Sequence, residues 1–83
     1  MITGRVQGVG FRWSARVQAL RLYVSGWIRN LPNGDVEVHA EGKQEYLDEF
    51  LTWLEDGPPY ARVERVEARP TEARGYVSFD IED

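Results

Sequence analysis

The chain contains no cysteine. That absence excludes a disulfide framework, a thiolate zinc site and a cysteine nucleophile together. A single histidine, His39, is too few for a His-rich metal centre. No apolar run approaches the roughly 20 residues that span a bilayer, and the N-terminal stretch lacks the pattern of a signal peptide. A cytoplasmic protein with no membrane association, no metal and no organic cofactor is expected. Positive charge is also in short supply: 10 basic against 14 acidic residues leave a net charge of −4, which disfavours nucleic acid as a partner.

Acidic residues are missing from one region. None precedes Asp35, whereas Arg5, Arg12, Arg16, Arg21 and Arg29 all fall in that stretch. An anionic ligand would be held there. The chain of 83 residues is expected to form one domain, residues 1–83, large enough for a single two-layer core. A hydrophobic content of 42%, with three Trp, four Tyr and three Phe, is that of a globular protein that folds alone.

Within the arginine-rich third, Gly8, Gly10 and Arg12 punctuate the passage from an apolar start into a helical pattern. Glycines at this spacing let successive backbone N–H groups turn inward, the following helix contributes its positive end, and an arginine adds a planar fork of donors. Such a nest suits a phosphate. A bare glycine loop is equally compatible with a plain strand-to-helix turn beside a solvated arginine, so the rest of the chain must decide.

Ile2, Gly4 and Val6 share one parity of a first strand. From Phe11 the period changes to that of a helix of about three turns, whose apolar face is expected to carry Trp13, Val17, Leu20 and Val24, joined by Ala15, Ala19 and Leu22. Its end falls near Tyr23, where a left-handed residue is usual, so strain or a different cap is expected. Ser25 to Leu31 and Val36 to Glu41 read as a hairpin around Pro32-Asn33-Gly34. The off-parity residues Glu37, His39 and Glu41 suggest a wet acidic face with His39 as a surface residue. Lys43 to Asp56 is a clear helix, with Tyr46, Leu47, Phe50, Leu51 and Leu54 on one face, Trp53 at its edge, and Gly57-Pro58-Pro59 ending it. A fourth strand lies within Ala61 to Arg69. Broken alternation of Val63 and Val66 suggests that the strand proper begins near Arg65 or carries a bulge. After a turn from Pro70 to Gly75, Val77, Phe79 and Ile81 alternate in a fifth strand.

The order β-α-β-β-α-β with a strand appended predicts the α+β class, a ferredoxin-like split β-α-β sandwich: a mostly antiparallel five-stranded sheet with two helices on one face. The first four strands take the spatial order 4-1-3-2, and the fifth can extend an edge. Strands 1 and 2 then run the same way on either side of strand 3. Their ends, Gln7 onward and Asn30, emerge at one edge about 10 Å apart. Arg12 and Asn30 can flank one small ligand.

At two separated signatures the chain resembles the acylphosphatase family. One is Gly4-Arg5-Val6-Gln7-Gly8-Val9-Gly10-Phe11-Arg12; the other is Gly26-Trp27-Ile28-Arg29-Asn30, followed at the family's spacing by Gly34, Val36 and Gly42. Gly57-Pro58-Pro59-Tyr60-Ala61-Arg62-Val63 resembles the family's link from second helix to fourth strand. The resemblance implies hydrolysis of the carboxyl-phosphate bond of small acyl phosphates, without a metal. It implies that the backbone of Gly8, Val9, Gly10, Phe11 and Arg12 cradles the phosphate, that Arg12 binds it, and that Asn30 positions the attacking water. Family members carry more residues ahead of the first glycine than Met1-Ile2-Thr3, so the first strand is expected to be short, and Tyr23 stands where the family commonly has glycine.

Ser14 follows the loop but has no histidine or lysine placed to activate it as a nucleophile. An RNA-binding domain shares the element order, yet Glu37, His39 and Glu41 would repel a phosphate backbone. The remaining alternatives are a phosphate-binding module without turnover and an acylphosphatase-like domain of a larger maturation enzyme. A monomer is expected.

Overall fold

The computed structural model describes residues 1–82. Its elements are β1 (Ile2–Arg5), α1 (Phe11–Arg21), β2 (Ser25–Asn30), β3 (Val36–Glu41), α2 (Gln44–Asp56), β4 (Arg62–Val66) and β5 (Phe79–Glu82). The five strands form one sheet in the order β4-β1-β3-β2-β5. All pairings are antiparallel except β2 with β5. The α+β class and split β-α-β topology read from the sequence are therefore present, with the fifth strand added parallel at the β2 edge.

Alternation places Ile2, Val6, Ile28, Val36 and Phe79 on the helix-facing side, where each is 1% exposed or less. Phe50 and Leu54 of α2 close over them, with Tyr46, Leu47 and Trp53 partly buried beside them. Phe50 meets Phe79 edge-on at 5.7 Å between centroids. The register of β4 on β1 slips between Thr3 and Gly4, opposite Arg65 and Val63, so of the two readings of the Val63 and Val66 spacing the irregularity is present, while a strand starting only near Arg65 is not, since β4 begins at Arg62.

Three expectations are corrected. On α1 the inward residues are Phe11, Ala15, Ala19 and, at its end, Leu22, whereas Trp13, Val17 and Leu20 are 63%, 45% and 50% exposed. Two alanines with no exposure let the helix lie close to the sheet. Val77 lies before β5 and is almost fully exposed. Finally, the face carrying His39 and Glu41 is not wet at those residues, whose side chains are only 11% and 10% exposed.

Topology explains the cover. Because β4 and β5 occupy opposite edges of the sheet, the chain between them must cross it, and the Glu41 carboxylate anchors the crossing segment. Glu41 accepts the Arg74 N–H at 2.6 Å and the Gly75 N–H at 3.0 Å. His39 Nε2 lies 2.6 Å from the same carboxylate, and the His39 ring stacks on Trp27 and meets Tyr76 edge-on. The bond to His39 and those backbone N–H donors hold the Glu41 carboxyl below its usual range against the opposing effect of burial.

The predicted strain at the end of α1 is present. Tyr23 has φ 55°, in the left-handed region, and its ring lies 6.3 Å from that of Tyr46. Strand β1 is short: its pairing with β3 is confined to Ile2 opposite Val36. At its N-terminal end a groove of about 760 Å³ runs between β3 and β4, lined in part by Val38, Leu47, Leu51, Val66 and Ala68. The glycine loop emerges at the other end of β1.

Candidate active site

At that other end Gly8 and Gly10 have φ 74° and 76°. A Cβ added at either would meet no protein atom within 4 Å, so it is the left-handed backbone and not crowding that favours glycine here. Gly10 is the N-cap of α1, with no side-chain cap and no acidic residue in the first turn. The first backbone bond from this terminus runs from the Ser14 N–H to the Gly10 carbonyl at 3.0 Å. The N–H groups of Phe11, Arg12 and Trp13 therefore precede the first turn's closure and have no intrahelical acceptor. A helix end of this kind attracts an anion. Phe11 fixes the loop's position: its side chain is 2% exposed and lies 5.7 Å from Trp53.

A cavity of about 200 Å³ opens at this helix end, lined by Val6, Gly8, Gly10, Phe11, Arg12 and Asn30. Trp13 and Ile81 complete its wall. Val9 lies in the same loop with its side chain packed against the core, so it can offer the site only its backbone. Among the described residues Arg12 makes no ion pair or side-chain hydrogen bond, unlike three other arginines of the N-terminal third. Arg16 donates to the Phe79 carbonyl, Arg21 to Gln18, and Arg29 is paired with Glu37 at 2.6 Å. Of the five arginines clustered in the sequence, three are thus engaged elsewhere, Arg5 ends β1 outside the cavity lining, and Arg12 stands at the cavity.

Asn30 ends β2 opposite Val36, on the side of the sheet that faces the helices. Its Oδ1 is buried and has no hydrogen-bond partner among the described residues. A buried acceptor left in this state costs about 1 to 3 kcal/mol, so one at the wall of a cavity marks a place where a donor is to be received.

Sequence reasoning assigned no role to Gln7, although it stands inside the glycine signature. Its Nε2 donates to the Leu31 carbonyl at 2.8 Å and to the Asp35 carbonyl at 2.9 Å. These two bonds tie the start of the glycine loop to the chain immediately after Asn30. The cross-brace sets the spacing between the two halves of the cavity. A glutamine midway between a strand end and a glycine, facing a turn across the sheet edge, was the available signal.

An arrangement of N–H donors without intrahelical acceptors, one uncommitted guanidinium and one unpartnered acceptor can stabilise a phosphoryl group and orient a nucleophile beside it. Comparison with known proteins agrees with that chemistry. The family model described as Acylphosphatase matches residues 1–81. An acylphosphatase of Thermococcus kodakarensis is 50% identical over 80 residues, 96% of this chain and 88% of the relative. The crystal structure of acylphosphatase from Bacillus subtilis superposes with a TM-score of 0.94 at 32% identity, covering 99% of this chain and 92% of that one. A structure of full-length HypF in a phosphate- and nucleotide-bound form matches with a TM-score of 0.87 at 25% identity, covering 99% of this chain and 11% of that one.

Proposed function

The chain belongs to the acylphosphatase family, enzymes that hydrolyse acyl phosphates, and from that premise we propose how its own residues divide the reaction. The backbone N–H groups from Gly8 to Arg12 and the Arg12 guanidinium hold the phosphoryl group. Asn30 Oδ1 accepts a hydrogen bond from the attacking water. The observation that carries this reading is the buried, unpartnered Asn30 Oδ1 sharing one small cavity with Arg12 and the uncapped end of α1.

Phosphoryl transfer through a loose transition state spreads negative charge over three equatorial oxygens. Donors fixed before the reaction stabilise that charge without reorganising. Water forms the new P–O bond as the bond from phosphorus to the acyl oxygen breaks, its proton passes to a phosphoryl oxygen, and the acyl group departs as a carboxylate. A carboxylate is a weak base with a pKa near 4, so its departure needs no general acid. Among the described residues no histidine, lysine or carboxylate lines the cavity wall.

On narrower grounds we propose that residues 1–83 act as one monomeric domain in the cytoplasm. The chain has no cysteine and so no disulfide, as suits a reducing compartment. None of the helices among the described residues is long and apolar enough to cross a membrane.

Release of phosphate from benzoyl phosphate by Arg12→Ala and Arg12→Lys tests the assignment. Loss of the guanidinium should lower kcat/KM at least about 30-fold, because a charge-assisted clamp contributes roughly 2 to 5 kcal/mol. Lysine should restore only part, since it lacks the planar fork. Activity within about threefold of wild type in Arg12→Ala would remove Arg12 from the site.

A further inference from the structure

The phosphate-holding half of the cavity accounts for its glycines, Arg12 and Asn30 but not for the two large apolar residues at its edge. Val6 and Phe11 are core residues, 1% and 2% exposed, whereas Trp13 and Ile81 are 63% and 38% exposed. Different elements bring them to one mouth. Trp13 lies in the first turn of α1, two residues beyond Phe11. Ile81 is carried there by β5, which runs parallel to β2 with Ile81 in register with Ile28, so the end of β5 emerges beside Asn30. A tryptophan left this open is not spent on the core, and none of the aromatic pairs in the structure includes it.

We propose that Trp13 and Ile81 form the subsite for the acyl group, and that this wall makes the enzyme select acyl phosphates with a flat, apolar acyl group over short or charged ones. The inference rests on the phosphate position proposed above, because only a phosphoryl group held by Gly8 to Arg12 leaves its acyl group facing this rim. A cavity of about 200 Å³ is below the range of pockets that enclose a drug-sized ligand, which limits the enclosed part to the phosphoryl group and a small acyl unit. An aromatic ring against an indole gains both apolar burial and ring contact. A charged acyl group would lose hydration against the same apolar wall.

The test compares kcat/KM for benzoyl phosphate and acetyl phosphate in wild type, Trp13→Ala, Ile81→Ala and Trp13→Phe. The readout is the ratio between the two substrates, which a general loss of folded protein cannot change. Wild type should favour benzoyl phosphate by tenfold or more, and Trp13→Ala should lower that ratio about tenfold. Ile81→Ala should lower it about threefold, and Trp13→Phe should recover most of it. An unchanged ratio in both alanine variants overturns the subsite. That outcome is distinct from failure of the underlying reading, in which Arg12→Ala would retain activity on both substrates and the subsite would fall with it.

Discussion

Replacing Asn30 by alanine should separate stability from turnover. The side chain keeps a buried Oδ1 without a partner, which disfavours the folded state by about 1 to 3 kcal/mol. Alanine removes that acceptor and leaves the backbone pairing with Val36 in place. Against the gain stands the lost packing of a half-buried side chain, about 1 kcal/mol. Stability should therefore be unchanged or higher by up to about 2 kcal/mol, and for a domain of this size each kcal/mol moves Tm by roughly 4 to 8 °C. Turnover should move the other way. Loss of one group that acts on the transition state typically lowers kcat by about 100- to 1,000-fold. Thermal melts followed by circular dichroism, with benzoyl phosphate hydrolysis on the same samples, would measure both. A fall in Tm of more than about 8 °C with kcat within threefold of wild type would refute the reasoning, because Asn30 would then be a strand terminator and not a catalytic residue.

Gln7→Ala removes both bonds that join the glycine loop to Leu31 and Asp35 and should lower kcat about tenfold, with a smaller change in KM, as expected of a residue that spaces the two halves of the site. Gln7→Glu, which cannot donate, should behave alike; wild-type kcat in both would refute the cross-brace. Glu41 titrates below its ordinary value in the folded protein, so its contribution to stability is present above the unfolded pKa and is lost as pH falls through the folded one. Tm measured from about pH 6 to pH 3 should accordingly fall more steeply in wild type than in Glu41→Gln, and parallel curves would show that the carboxylate does not hold the crossing segment. Tyr23→Gly relieves a left-handed residue worth about 1 to 2 kcal/mol but gives up a ring contact with Tyr46 worth about 0.5 to 1.5, so it should be nearly neutral. In a Tyr46→Ala background the same change should stabilise by about 1 kcal/mol, and the absence of any such coupling in urea melts would contradict this balance.

Alternation made β1 and β3 readable in the sequence, because residues facing the helices recur at every second place, and Pro32-Asn33-Gly34 marked the turn of the hairpin. The stripe of α2 was readable for the same reason at helical period. On α1 the larger apolar residues misled, since hydropathy ranks Trp13, Val17 and Leu20 above alanine, whereas close approach to the sheet selects Ala15 and Ala19. The burial of His39 and Glu41 could not be seen from β3 alone. It follows from the placement of β5 beside β2, which forces the preceding chain across the sheet. That the glycine loop, Arg12 and Asn30 meet at one cavity was legible because two strands with the same direction deliver their ends to one edge, whereas the roles proposed for them came from the family resemblance. Gln7 was not, because its partners are backbone carbonyls and leave no mark in side-chain chemistry. Trp13 and Ile81 were hidden by their hydropathy, which suggested core.

The proposed reaction divides its labour, with phosphate affinity assigned to the glycine loop and Arg12, and orientation of water to Asn30. Calorimetric titration of inorganic phosphate into wild type, Arg12→Ala and Asn30→Ala tests it most directly. The Kd for Asn30→Ala should lie within about threefold of wild type and that for Arg12→Ala should rise at least 30-fold. Equal weakening in both variants, or weakening only in Asn30→Ala, would contradict it.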